Sequence, residues 1–150
     1  MSLYRRDISF LNNFYMENKK TQIKVIFSVF GDIFSPSDFT KYIGINPHEV
    51  GIKGEEIKKG LLRKESSWEY TIGFIETVFL DDVSNIYTEI FENKAHDIRK
   101  YTDGHNLEAK IFVVIEMDDQ ETPALFFDKK FLNVVHQLNA VIDVDLYRLY

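Results

Sequence analysis

The chain has no cysteine, a deficit of basic residues and no long apolar run. The missing cysteines exclude disulfide bonds, thiolate nucleophiles and cysteine-ligated zinc, and they suit a reducing cytoplasm. No apolar run approaches the roughly 18 residues that span a bilayer, so we expect no membrane association. Polar residues follow Arg5 and Arg6 closely, so we expect no signal peptide and a cytoplasmic location.

Positive charge is scarce. The sequence has 18 Lys and Arg residues against 24 Asp and Glu residues, which gives a formal net charge of −6. Nucleic-acid binders usually carry a basic surface, so we expect no nucleic-acid partner. An acidic protein is better suited to a basic protein partner, because complementary charge steers association.

Common catalytic motifs are also missing. The sequence contains no phosphate-binding P-loop, no dinucleotide-binding glycine motif, no G-x-S-x-G and no H-E-x-x-H. The spacing of its histidines, His48, His96, His105 and His136, does not match a zinc motif. We therefore assign no catalytic residue, cofactor or metal, and we favour a protein without enzymatic activity.

The first half of the chain has clear local signals. Residues 22–30 alternate between apolar and mixed positions, as a strand with one buried face does. Ser35 is a favourable N-cap and Pro36 suits the first helical position, which predicts a helix over 36–43. Gly44 then ends that helix.

Apolar periodicity predicts the remaining elements. They are strands over 67–75, 109–117 and 141–147, a long helix over 76–99, a helix after Asp128, and candidate short strands at 61–62 and 124–128. This order predicts an α+β fold, with a four- to five-stranded mixed or antiparallel sheet and helices mainly on one face. Two similar strand–helix–strand halves joined by the long helix would make the fold ferredoxin-like.

The domain organisation is simple. The weak pattern of residues 1–21 predicts an N-terminal arm or short helix, and residues 22–150 predict a single α+β domain.

Several spaced segments resemble a known family. They are DFTKYIGINPHEVGIKGE (38–55), the strand around Trp68 and the closing run from Ile142 to Tyr147. On these residues the chain resembles the bacterial domain-of-unknown-function family 4279 over about residues 22–148. The resemblance implies an intact α+β domain in a bacterial cytoplasm. It brings no established activity or catalytic residue, so it assigns no role to any side chain.

Acidic residues share strand faces with an aromatic residue. Asp143, Asp145 and Tyr147 lie on one face of the closing strand, and Glu69 lies on the polar face of the 67–75 strand. An acidic face with aromatic residues suits contact with a partner protein, so these four residues are candidate partner-binding residues. Plain solvation is the commoner explanation of such a pattern, and paired carboxylates also serve in acid–base catalysis.

A basic segment interrupts the acidic chain between residues 53 and 64. Lys53, Lys58 and Lys59 could attract an anion, and Gly54 would permit close backbone approach. These four residues form a candidate anion-binding site, although a flexible charged loop has the same composition.

We therefore expect a non-enzymatic protein-binding domain, in its most concrete form an immunity-type protein that blocks a basic toxin. One alternative is a structural or regulatory homodimer. Another is a binder of small anions or other small molecules at the 53–64 loop.

Overall fold

The computed structural model of the protein describes residues 19–149. In chain order its elements are β1 (Gln22–Gly31), α1 (Pro36–Ile43), β2 (Glu49–Gly51), β3 (Glu56–Lys58), β4 (Leu61–Leu62), β5 (Ser66–Glu76), α2 (Leu80–Phe91), α3 (Ala95–Gly104), β6 (Glu108–Met117), α4 (Lys129–Gln137) and β7 (Val141–Arg148). The predicted α+β class is confirmed. The arm or short helix predicted over 1–21 lies almost wholly outside the described residues.

The main sheet is mixed and has five strands, in the order β2-β5-β1-β6-β7. Strand β1 pairs antiparallel with both β5 and β6, and β2 pairs antiparallel with β5. Strand β7 pairs parallel with β6. Strands β3 and β4 form a separate antiparallel hairpin.

The two halves of the sheet differ, which departs from the ferredoxin-like arrangement of similar halves. Strands β1 and β5 are antiparallel neighbours, whereas β6 and β7 are parallel neighbours. The connections explain the difference. One helix, α4, joins β6 to β7, and a helical crossover of this kind links parallel strands. Between β1 and β5 the chain passes through α1, β2 and the hairpin, so that β5 returns antiparallel.

One face of the sheet carries the core. The inward-facing side chains of β1 are fully buried: Ile23, Val25, Phe27 and Val29. The ring of Phe27 packs edge-on against Phe91 of α2 and Trp68 of β5, with centroid distances of 4.9 Å and 6.1 Å. Buried residues of all four described helices join the same cluster, so these helices cover one face of the sheet.

Local capping signals are confirmed. Helix α1 has its predicted bounds, the Ser35 hydroxyl accepts a hydrogen bond from the Asp38 amide at 3.3 Å, and the helix ends at Gly44 with a φ of +72°. Helix α4 begins after Asp128, whose carboxylate accepts from the Phe131 amide at 2.7 Å. These caps join residues three apart, so the sequence predicts them without tertiary information.

The long helix predicted over 76–99 is instead two helices. The chain turns between α2 and α3, where the Lys94 amide donates to the Phe91 carbonyl at 3.0 Å, an i→i−3 bond. Phe91 and Ala95 on either side of the turn are both fully buried. The apolar spacing therefore continues through the turn, which explains why the two helices resemble one in the sequence.

Short elements were predicted less well. Leu61 and Leu62 form β4 as proposed, whereas within 124–128 only Ala124 forms an isolated bridge, with Phe79. Strands β2 and β3 form where the sequence shows little apolar periodicity. None of the helices in residues 19–149 is long and apolar enough to cross a bilayer.

Candidate functional site

We call the sheet face opposite the helices the open face. It carries Ser67, Glu69 and Thr71 of β5, Lys24, Ile26, Ser28 and Phe30 of β1, Lys110, Phe112, Val114 and Glu116 of β6, and Asp143, Asp145 and Tyr147 of β7. All four predicted partner-binding residues lie on this face. They form two groups, because β1 and β6 separate Glu69 on β5 from the three residues on β7 by three strand spacings, roughly 14 Å.

The β7 group combines carboxylates with an exposed aromatic ring. The Asp143 carboxylate lies 3.2 Å from the Lys110 ammonium, which in turn lies 5.0 Å from the centroid of the Phe112 ring. Asp145 makes no ion pair with any residue in 19–149. Tyr147 is 54% exposed. This end of the open face therefore offers one paired carboxylate, one unpaired carboxylate and an accessible phenol ring.

The β3–β4 hairpin lies over the other end of the open face. A cavity of about 320 Å³ separates the two, and we call it the hairpin groove. Its lining includes Ser28, Phe30, Ile57, Arg63, Glu69 and Phe112. Residues from three central strands and from the hairpin segment thus meet at one place.

Glu69 is the acidic group of the hairpin groove. Its carboxylate forms no hydrogen bond and no ion pair within 4.0 Å among the described residues. Partial burial raises the pKa of Glu69, and the neighbouring Glu49 carboxylate raises it further, whereas Arg63 and Lys24 act in the opposite direction. Glu49 is the direct cross-strand partner of Glu69, which places like charges side by side. The ionised form of Glu69 is therefore short of stabilising contacts.

Ser28 lies beside Glu69 at the base of the groove. The two residues are direct cross-strand partners, and Ser28 is only 3% exposed. The Ser28 hydroxyl forms no hydrogen bond with residues 19–149. Its oxygen is not among the fully buried atoms without a partner in residues 19–149, so it is accessible from the groove.

Arg63 anchors the hairpin segment to β2. Its guanidinium lies 3.9 Å from the Glu49 carboxylate and 3.7 Å from the Glu55 carboxylate. It also lies against the backbone of Gly51, where a Cβ would come within 2.6 Å of Nη1. Glycine at 51 is therefore what lets the guanidinium approach β2 this closely.

The structure spreads the four predicted anion-binding residues over two places. Lys53 forms an ion pair with Asp32, and Gly54 lies at the base of the hairpin with a φ of +90°. Lys58 and Lys59 are exposed at the tip of the hairpin, beside the turn at Gly60. Two of the four residues thus lie at the base of the hairpin and two at its tip, and their role in anion binding stays a prediction.

The backbone around Lys53 and Gly54 has a structural role. The Ile52 amide donates to the Glu55 carboxylate at 3.0 Å, and the Lys53 amide donates to the Ser66 hydroxyl at 2.9 Å. The next two amides donate to carbonyls of Arg63 and Ile52, at 2.9 Å and 3.1 Å. Four consecutive amides are thus committed within the protein, where they fix the base of the hairpin.

No three histidine or carboxylate side chains in residues 19–149 are grouped so that they could hold a metal ion. His105 instead stacks on Tyr101, with ring centroids 4.0 Å apart.

Three residues that line the groove were not identified as candidate site residues from the sequence. The alternation of 22–30 places Ser28 on the mixed face, but nothing in that pattern distinguishes it from other polar strand residues. Arg63 and Ile57 reach the groove only because the hairpin folds over the sheet. That contact joins distant parts of the chain, and the sequence contains no local signal for it.

Comparison with protein families gives a match over most of the chain. The model of the family described as a domain of unknown function, DUF4279, matches residues 21–149. Comparisons with curated proteins and with solved structures give no significant match. The match spans nearly the whole chain and agrees with the resemblance in 38–55, Trp68 and the closing strand. The chain therefore belongs to the DUF4279 family.

Proposed function

We propose that the protein binds another protein through its open face and that this partner is basic. The observation that carries the proposal is the make-up of the face. Half-buried Ile26 and Phe112 occupy its middle, while Glu69 and Asp145, which have no ion-pair partner among residues 19–149, lie on either side.

This layout has the character of a protein interface. Such interfaces combine an apolar centre that is desolvated on binding with a polar rim. Carboxylates without internal partners favour a partner that brings lysine or arginine side chains, because charge complementarity speeds encounter and disfavours other partners. The net charge of −6 adds a long-range attraction for a positively charged partner.

In its most concrete form, the protein is an immunity-type inhibitor in a bacterial cytoplasm and the partner is a basic toxin. The small size of the chain, its acidity and the missing catalytic motifs support this form of the proposal.

Photo-crosslinking in the native host tests the location of the interface. A photoreactive phenylalanine analogue replaces Tyr147 on the open face or, as the matched control, Asn133, which is exposed on α4 in the helix layer. We expect a basic protein to be crosslinked from position 147 and not from position 133. Crosslinks to that protein from position 133 alone would place the interface elsewhere.

Charge reversal tests the electrostatic part. Asp143→Lys with Asp145→Lys should abolish capture of the crosslinked protein. Glu89→Lys with Asp97→Lys makes the same change of charge on exposed positions of α2 and α3 and should leave capture intact. Equal capture by the two double variants would contradict the proposal.

A homodimer is the second candidate, and the outer edge of β7 favours it. No strand of residues 19–149 pairs with that edge, and Val141, Leu146 and Tyr147 are each more than half exposed. An unpaired strand edge can pair with a second copy. Light scattering over a concentration series distinguishes the two candidates, since a strict monomer at high concentration excludes the dimer.

A further inference from the structure

The hairpin groove contains two polar groups that the fold itself leaves unsatisfied. The Ser28 hydroxyl and the Glu69 carboxylate are cross-strand partners, and neither hydrogen-bonds to another side chain or to the backbone of the described residues. Both line the same cavity. Ser28 is only 3% exposed and Glu69 is partly buried, so the hydroxyl and the carboxylate can both accept a hydrogen bond from a donor that enters the groove.

The rest of the groove is suited to an aliphatic chain. Phe30 and Phe112 lie on neighbouring strands of the open face, and Ile57 contributes to the lining from the hairpin. Ile57 is 55% exposed, so the groove leaves apolar area uncovered. An alkyl group placed between the ring of Phe112 and Ile57 would remove part of that area from water.

We propose that the hairpin groove binds a lysine side chain of the basic partner, with the ammonium at Glu69 and Ser28 and the alkyl stem against Phe112 and Ile57. The proposal rests on the proposed protein-binding function and identifies the anchoring contact. Lysine matches the groove because it joins an ammonium with three donors to a flexible four-carbon stem.

The charges around the groove are mixed, and Glu69 has no ion-pair partner among residues 19–149. The guanidinium of Arg63 is already engaged by Glu49 and Glu55. Lys64 and Glu65 line the cavity with opposite charges. Burial and Glu49 both raise the pKa of Glu69, whereas Arg63 and Lys24 lower it. An incoming ammonium would add a further attraction that offsets the effects of burial and of Glu49.

Peptide titration of the full-length protein, followed by ¹⁵N NMR, tests the assignment. The probe is acetyl-Gly-Lys-Gly-amide, and the matched peptide carries norleucine, which keeps the stem and removes the ammonium. We expect the lysine peptide to shift the amides of Ser28, Glu69 and Phe112, and the norleucine peptide to bind roughly tenfold more weakly or worse.

Two variants make the test specific. Glu69→Gln should weaken binding of the lysine peptide roughly tenfold. Glu108→Gln removes one negative charge from β6 outside the groove lining and should leave binding unchanged. Equal loss in both variants, or shifts outside the groove, would overturn the assignment.

The failure of this inference is distinguishable from the failure of the proposed function. Suppose that Glu69→Gln captures the crosslinked partner as tightly as the wild type, while reversal of Asp143 and Asp145 abolishes capture. The open face is then supported as the interface, and the lysine site at Glu69 is rejected. Suppose instead that the lysine peptide binds through Glu69, while reversal of Asp143 and Asp145 leaves capture of the partner intact. The lysine site in the hairpin groove is then supported, and the proposed contact of the partner with β7 is rejected.

Discussion

Tyr87 presents a buried hydroxyl that the fold leaves unsatisfied. The side chain is fully buried, and its ring lies among Phe27, Phe91 and Phe131, with centroid distances of 5.8 Å, 4.8 Å and 5.6 Å. Its hydroxyl has no hydrogen-bond partner among residues 19–149. We predict that Tyr87→Phe stabilises the protein, because the phenol loses its hydrogen bonds to water on folding and gains none in return.

The size of the effect follows from two opposing terms. An unsatisfied buried polar group costs about 1–3 kcal/mol, and Tyr87→Phe removes that cost. Loss of the hydroxyl oxygen also removes a few dispersion contacts at about 0.1–0.2 kcal/mol each. We therefore expect the free energy of unfolding to rise by about 1–2 kcal/mol. For a chain of this length, each kcal/mol corresponds to a rise in melting temperature of about 2–4 °C.

The effect should grow in alkaline solution. Burial raises the pKa of Tyr87 well above its ordinary value of 10.0. Above pH 10 the unfolded chain releases this proton while the folded chain retains it, so the stability of the wild type falls as pH rises. Phenylalanine has no proton to lose, and the advantage of Tyr87→Phe over the wild type should widen above pH 10.

Urea unfolding followed by the fluorescence of Trp68, the single tryptophan, measures both effects. Tyr147→Phe is the matched control, because it removes a hydroxyl that is already accessible to water, and it should change stability by less than about 0.5 kcal/mol. A loss of stability of about 1 kcal/mol in Tyr87→Phe would refute the reasoning, since it would mean that a buried water or other group satisfies the hydroxyl.

Two further predictions concern satisfied and unsatisfied groups elsewhere. The Trp68 indole N–H donates to the Thr40 hydroxyl at 3.0 Å, so Thr40→Val, which leaves a buried donor unpaired, should cost about 1–3 kcal/mol in urea unfolding. Glu69 has a folded-state pKa raised above 4.5, so its ionisation destabilises the fold as pH rises through the window above 4.5. Glu69→Gln should therefore be more stable than the wild type at pH 7, and urea unfolding below pH 4.5 should show that gain disappear; a gain that persists there would contradict the pKa argument.

Local signals in the sequence predicted much of the fold. The alternation of 22–30 identified β1 and the correct inward face, because side chains of a strand with one covered face must alternate. The bounds of α1 followed from Ser35, Pro36 and Gly44, whose effects operate within one helical turn. The four partner-binding candidates lie on one face of the sheet, because residues of one strand alternate between faces with a period of two, and their role in binding stays a prediction.

Features that depend on distant contacts were not predictable. The crossover through α4 favours parallel pairing of β6 with β7. That β6 and β7 are neighbours in the sheet depends on contacts between distant segments, and strand propensity does not specify those contacts. The turn between α2 and α3 preserves the apolar spacing of one helix, so the apolar periodicity of the sequence predicted a single long helix. Ser28 and Ile57 meet in the groove although they are far apart in sequence.

The hairpin determines whether the open face is flat or grooved. A two-stranded hairpin is marginally stable alone, and the β3–β4 hairpin adds only exposed residues of its own. Its position therefore depends on its base, where four successive amides from Ile52 to Glu55 are hydrogen-bonded and Arg63 is tied to Glu49. The Lys53–Gly54–Glu55 segment consequently contributes to the site indirectly: it holds the hairpin over Ser28 and Glu69, so that a cavity rather than a flat surface faces the partner.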